Sequence, residues 1–429
     1  MDDRSCGFDF TSEKNLQELF ASQIDLLATG KTRQCPSLSD ELFINACFNR
    51  VISQNNSGRE FIQKLEEVDE VKVPRTTLSD SMHSPRRLDL IKDVALLNYE
   101  LLSKQLYDDD VDYLKEFKEL NGYDVFSVDG HYIEHCSHAE RNPKGKVYAA
   151  GNLYALNLRN GLIRHFACVT DGSSKNHEMP IFRNNIENFC FGKKTIWIVD
   201  MAFIDFNWWE RMTRNEKKDV ISKSKGNCKV TYCGENVFDK NDPVNAGVIS
   251  DKQAAFSSNR YAATFRVIEY IDPETGEKMT FNTTLSAKKF KPGLICWLYF
   301  LRWRIEKVYD CFKNSFNETK AWATGKIAMQ IQGHSICLLY NFVQFLSEKT
   351  KAIASCQDEK SIKKYEKNLE IRETKAKEKG RYIHPLLYTS RKISRMSSQF
   401  IRVVRNYFFS GKPVSWLLPK FAMRLKQYL

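Results

Sequence analysis

No apolar run in the sequence approaches the roughly 20 residues that a membrane-spanning helix needs, and the opening, MDDRSCGFDF, has neither a basic stretch nor an apolar one. A leader peptide and a membrane partner are therefore not expected, and the protein is expected to stay in the cytoplasm. The 12 cysteines include no CxxC pair, which argues against a zinc ribbon or a disulfide framework. The nearest two, Cys228 and Cys233, give only a weak zinc signal. No internal repeat is visible. Acidic residues are missing from one whole stretch: between Arg381 and Leu429 no Asp or Glu balances ten Lys and Arg.

That local field belongs to a basic chain. Lys and Arg number 65 against 53 Asp and Glu, a formal net charge of +12. Such a balance favours an anionic partner, nucleic acid before an acidic membrane surface. At 429 residues and 42% hydrophobic content, two or three packed units are expected.

Residues 1–120 read as a helical N-terminal domain that binds DNA. Segments such as NLQELFASQIDLLATG and RRLDLIKDVALLNYELLSKQL repeat apolar residues at three-to-four spacing, broken at Gly30, Pro36, Pro74 and Pro85. Within them SGREFIQKLEEV, KVPR and TTLSDSMHSPRR read as two helices and a turn, with Thr76 or Thr77 capping the second and Arg86 and Arg87 following. Two readings stay open, a helix-turn-helix DNA contact and an ordinary helical bundle.

From Tyr123 the texture becomes α/β. YDVFSVDG, KVYAAGNLYALNL and LIRHFACVT are β-rich, with Arg159-Asn160-Gly161 as a hairpin turn between the last two. KKTIWIVD is a compact strand, FNWWERMTRNEKKDV a helix, and TFRVIEYIDPETGEKMTFNTTL a hairpin around Asp272-Pro273-Glu274-Thr275-Gly276. Residues 293–350 hold one helix from about Gly293 to Phe316 and another from Lys326 to Lys349. Residues 351–429 begin with a charge-dense helix or linker and end in the basic region, expected to contact DNA or to dimerise.

Two acids close apolar strands: Asp129 follows Val125-Phe126-Ser127-Val128, and Asp200 follows Thr195-Ile196-Trp197-Ile198-Val199. A carboxylate delivered to a sheet edge needs a metal, a cation or hydrogen-bond donors, although either acid alone is as readily a turn-capping residue. In WLYFLRWRIEKVYDCFKNSF, Tyr299, Arg302, Glu306 and Lys313 fall within an arc of about 60° on a regular helix. Leu298, Leu301, Ile305, Val308 and Phe312 occupy another side, fit to lie on a sheet. The polar row suits a ligand groove, or else an ordinary salt-bridged surface. His131, His135, Cys136 and His138 also cluster after Asp129, but strand alternation separates them unless the chain bends.

The spacing Tyr, two residues, Arg, three residues, Glu, six residues, Lys at Tyr299, Arg302, Glu306 and Lys313 resembles the signature of bacterial insertion-sequence DDE transposases of the IS-four type. The resemblance runs from about Tyr123 to Phe316. It implies an RNase H-like catalytic core, begun in residues 121–204 and completed in 205–292, where a β-rich insertion interrupts it, with helical regions on both sides. It implies that Asp129, Asp200 and Glu306 are catalytic and hold two Mg²⁺ or Mn²⁺ ions, and that Tyr299, Arg302 and Lys313 contact DNA. The implied partners are double-stranded DNA, as terminal inverted repeats and as target, and a second copy of the chain in a synaptic homodimer at the nucleoid. The family often follows its second acid with Arg-Gly-Phe or Arg-Gly-Tyr, whereas this chain has Met201-Ala202-Phe203; Trp297 and Trp303 are the tryptophans available to stack on a base. The alternative is a non-catalytic, sequence-specific DNA-binding protein derived from a transposase. A tyrosine recombinase, acting through a covalent phosphotyrosine, is a further rival.

Overall fold

Helix signals at the N-terminal end translate directly into elements. The computed structural model describes residues 13–28, 38–54, 57–69, 72–133, 150–169, 178–189, 194–226, 228–261, 263–323, 325–353, 359–389 and 398–428. It begins with helices α1 (Leu16–Ala28), α2 (Asp40–Ile52), α3 (Gly58–Asp69), α4 (Arg75–Met82) and α5 (Pro85–Asp108). Ser39 caps α2 by accepting from the Leu42 amide, and Ser84 caps α5, whose first position is Pro85, the residue that loses least there. Helix α4 differs from expectation: it starts two or three residues early, with Pro74 at its cap and no side-chain cap, so neither Thr76 nor Thr77 plays that role.

Arg86 and Arg87, which follow the second of the two expected helices, open α5 and are engaged within the fold. Both point inward to Asp40 of α2. Arg86 donates to its two carboxylate oxygens at 2.7 and 2.8 Å, and Arg87 donates to the same carboxylate and to the Leu38 carbonyl. A fully buried acid draws the nearest cations to itself, because it cannot stay charged without them.

The sheet explains the rest. Strands β1 (Tyr123–Ile133), β2 (Ala150–Asn157) and β3 (Ile163–Cys168) form an antiparallel meander. Gly161, at φ +75°, turns the tight β2–β3 hairpin, a conformation a side chain resists. After α6 (Glu178–Asn185) comes β4 (Lys194–Val199), parallel to β1; α7 (Phe206–Glu216) then leads to β5 (Lys218–Lys223), parallel to β4. Strands β6 (Val230–Glu235), β7 (Val248–Phe256), β8 (Phe265–Ile271) and β9 (Lys278–Thr283) extend the same sheet, giving the order β3-β2-β1-β4-β5-β9-β8-β7-β6. The expected hairpins at 159–161 and 272–276 are both present.

The chain closes with α8 (Pro292–Leu301), α9 (Trp303–Ser315), α10 (Lys326–Ile353), α11 (Glu359–Lys377), α12 (Leu386–Thr389), α13 (Ser398–Phe408) and α14 (Val414–Tyr428). None of the described helices is long and apolar enough to cross a membrane. Each face of the sheet has its own core. Phe126, Val128, Trp197 and Val199 pack on α6 and α7 through Phe182, Trp209 and Met212. Val125, Ile196 and Ile198 face the other way, into one apolar cluster shared by α8, α9, α10, the N-terminal helices and α13–α14. The chain ends meet there, with the Val414 amide donating to the Lys14 carbonyl.

The basic end is partly engaged within the fold. Arg381 donates to the Thr275 carbonyl and Arg405 to the Ser315 carbonyl, while Lys412 and Lys420 lie over the ring of half-exposed Trp416. Arg391, Lys392 and Arg395 lie outside the described residues. The charge-dense segment is helix α11, tied to the β8–β9 hairpin by the two-pronged pair of Arg372 with Glu274.

Replacing Asp40 by Ala leaves Arg87 buried without its carboxylate, an arrangement that costs about 3–5 kcal/mol. Arg86→Ala, at the more exposed partner, costs about 1 kcal/mol or less. Denaturant midpoints of the two variants check this, and equal losses would contradict it.

Candidate active site

Strand register brings the two aspartates together. Parallel pairing sets Ser127 opposite Ile198, and two further steps along both chains bring Asp129 beside Asp200. Side chains alternate between the faces of a strand. Val125, Ser127 and Asp129 therefore share a face with Ile196, Ile198 and Asp200, the face on which α8 and α9 pack. Asp200 directly follows β4, as expected. Asp129 does not end its strand: β1 continues to Ile133 against β2, and only its pairing with β4 stops short of Asp129.

The expected single helix from Gly293 to Phe316 is instead two, parted at Arg302. The Arg302 amide bonds the Tyr299 carbonyl and the Ile305 amide bonds the Arg302 carbonyl, both at 3.0 Å. These are three-residue turns, which tighten the helix locally. The Arg302 backbone stays helical, at φ −53° and ψ −39°, and its side chain keeps Tyr299 and Glu306 as neighbours while reaching the sheet. Its guanidinium spans two acids, donating to Asp129 Oδ2 at 2.7 Å and reaching Glu306 Oε1 at 3.4 Å. Its carbonyl accepts from Ser127 Oγ at 3.3 Å.

Each expected side chain can now be placed. Asp129, within β1 where its pairing with β4 stops, lies in the fields of Asp200, just past β4, and of Glu306. Tyr299, expected on a groove, is only 5% exposed, with its ring 5.0 Å from that of Phe281 and its hydroxyl toward Arg302. Arg302 is likewise turned inward to the acids. Lys313 lies two helical turns past Glu306, about 10 Å along the axis, where its charge acts on Glu318. Trp297 is buried against Phe117, whereas Trp303, beside Arg302, is 55% exposed. Of the His/Cys cluster, His131 pairs with Glu318 at 3.0 Å, and His135, Cys136 and His138 lie outside the described residues.

Glu178 was not singled out in the sequence. It opens α6, and its Oε1 accepts from the Tyr132 hydroxyl at 2.6 Å. A Cβ at Gly130 would collide with that oxygen, so glycine beside Asp129 is what lets this carboxylate approach the strand. The Gly after the Asp is the one trace it leaves in the sequence.

Electrostatics follow from this crowding. Burial raises the pKa of Asp129. Arg302 and the Gly130 amide counter the shift in part, and Asp200 and Glu306 add to it. Burial also raises Glu178, reinforced by Asp129 and Asp200. Burial alone would lower Arg302, but Asp129, Tyr299, Asp200 and Glu306 outweigh it and keep the guanidinium more firmly charged than usual. The donors are all carboxylate oxygens, the hard ligands that Mg²⁺ or Mn²⁺ take. Among the described residues, no group of three His, Cys, Asp or Glu is drawn together closely enough to hold an ion as it stands, Arg302 being set between two of the acids. A cavity of about 780 Å³ at the start of β1, lined by Tyr99, Tyr123 and Arg164 among others, contains none of these acids.

Because the folded protein holds the Asp129 proton more tightly than the unfolded chain does, this group's contribution to stability falls as pH rises through its raised pKa. Asp129→Asn removes that part of the slope. Urea midpoints in EDTA should diverge with rising pH, the variant being the more stable at neutral pH, and parallel curves would refute the shift.

Residues 120–342, more than half of the chain, match the family model described as a transposase DDE domain. No curated protein matches the chain.

Proposed function

The chain belongs to the DDE transposase family, and we propose that it moves DNA by cut-and-paste, cleaving element ends and joining them to a target at Asp129, Asp200 and Glu306. The observation that supports this reading is the approach of three acids to one corner of the sheet: Asp129 on β1 and Asp200 just past the neighbouring parallel β4, with Glu306 on α9 bridged to Asp129 by Arg302. The strand order β3-β2-β1-β4-β5, with β1, β4 and β5 parallel, supports an RNase H-like core. Strands β6–β9 are then the insertion, added to the edge of that sheet.

The acids fit a pair of Mg²⁺ or Mn²⁺ ions in kind, and such ions supply activation of the attacking oxygen and stabilisation of the leaving one. The residues do the rest. Asp129 and Asp200 approach from the strands and Glu306 from the helix. Arg302, released from the acids, turns its two-pronged donor to a phosphate of the scissile strand. Tyr299 backs Arg302 from the core side, Lys313 adds a point charge farther along α9, and exposed Trp303 offers a face for a base. Water attacks phosphorus in the first cut and a DNA 3′-hydroxyl attacks in joining, so the tyrosines form no bond to DNA. Lys420 and Trp416 on α14, with Lys412 just before it, suit contact with the duplex backbone, and a homodimer at the nucleoid would pair two element ends.

Asp129→Asn, Asp200→Asn and Glu306→Gln should each lower Mn²⁺-dependent nicking and joining of DNA carrying the element's flanking ends by at least about 100-fold. Gel shifts with the same DNA should persist. Binding without any cleavage by the wild type would favour the non-catalytic DNA-binding alternative, and a covalent protein–DNA adduct would favour a recombinase.

A further inference from the structure

We propose that Tyr309, His131 and Glu318 are positioning residues that fix the spacing between Asp129 and Glu306. This rests on the active-site reading above and extends it to residues that touch neither metal nor DNA. The difficulty they address is mechanical. Asp129 stands on β1 and Glu306 on α9, remote in sequence, and the contact between strand and helix is mostly apolar. Apolar packing is non-directional, so it holds the two elements together without fixing the height of one along the other.

Three polar contacts supply that height. Ser127 Oγ donates to the Arg302 carbonyl at 3.3 Å, the Tyr309 hydroxyl donates to the Asp129 carbonyl at 2.7 Å, and His131 Nε2 lies 3.0 Å from Glu318 Oε2. On the strand they fall on residues 127, 129 and 131, alternate positions of the face that meets α9. On the helix side they run from the break before α9 to the turn just after it. Tyr309 is one turn beyond Glu306, and its hydrogen bond ends on the main chain of the very residue whose carboxylate is to be placed. Its ring also lies 4.9 Å from the His131 imidazole, so the second and third contacts brace each other.

The Glu318 contact is costly in a way that simple packing does not require. Glu318 is 3% exposed and His131 2%, and although they lie 3.0 Å apart, neither Glu318 carboxylate oxygen meets a described donor in hydrogen-bonding geometry. A buried polar pair is commonly replaced by apolar side chains of similar shape without loss of stability. Asn317, in the left-handed region at φ +54°, and the bond from the Glu318 amide to the Phe312 carbonyl fold the chain back to bring this carboxylate under the strand. The fold thus bends its backbone to place an acid where a leucine would be easier to bury, against His131, two residues along the strand from Asp129.

The experiment measures Mn²⁺ binding by calorimetry beside DNA cleavage for Tyr309→Phe and Glu318→Gln. The controls are Asp129→Asn and Tyr99→Phe, the latter removing a buried hydroxyl that accepts from Asn157 in a separate apolar cluster. Groups that orient metal ligands typically change affinity by about 10–100-fold. Tyr309→Phe should weaken Mn²⁺ binding by about 10-fold and lower kcat while leaving KM for DNA unchanged, and Tyr99→Phe should change neither. Glu318→Gln carries the same expectation, so a failure of one variant to fold leaves the other to decide. If Tyr309→Phe and Glu318→Gln bind Mn²⁺ as the wild type does, the positioning role is overturned while the active-site reading stands. If the wild type shows no Mn²⁺ binding that Asp129→Asn abolishes, the active-site reading falls and takes this inference with it.

Discussion

Carboxylates crowded at one corner of a sheet repel one another and lose hydration together, so a cation has to stand among them. Arg302 is that cation, joined to Asp129 and Glu306 at once. A planar fork with several donors can do this, whereas the single ammonium of lysine would serve one acid well and the other poorly. The helix break falls at the same residue. Arg302 stays beside Tyr299 and Glu306 and from there reaches across to the strand, while its carbonyl is held by Ser127. One residue both balances the charge and ties the helix to the strand.

The strand that carries Asp129 takes part in two different ladders, antiparallel to β2 and parallel to β4. A slip of one residue against either neighbour would send Asp129 to the opposite face, where Phe126 and Val128 now pack. The apolar alternation that builds the two cores therefore also decides which way the acids point. Strands β6–β9 take no part in this. They widen the sheet beyond β5 and are held by their own buried pair, Arg266 with Asp251.

Much of this was legible locally and little of it at long range. Apolar runs ending in Asp129 and Asp200 mark strands, and Asn160-Gly161 and Thr275-Gly276 mark turns, because those signals lie within a few residues of the chain. The direction of Arg302, Arg86 and Arg87 was not legible, since an arginine looks the same in sequence whether its partner is DNA or an acid folded in from far away. Asp40 and Asp129 are such acids. Periodicity also assumed one unbroken helix, and three-residue turns at Arg302 leave no mark in composition. Glu178 sits after a polar stretch without apolar rhythm, so only Gly130 hinted that something approaches the strand there.

The last carbonyl of α9 is met from far along the chain. The Ser315 carbonyl accepts from Gln54 Nε2 at 2.9 Å and from Arg405 Nη1 at 3.2 Å, one donor from the turn after the second helix and one from the second-last helix. A ribosome that has already made all three acids has still to add 99 residues, from Glu306 to Arg405, before the last of these donors exists. The order of synthesis thus delays completion of the helix end until nearly the whole polypeptide has emerged, and a nascent or truncated product carries the acids on a helix whose terminus is still open.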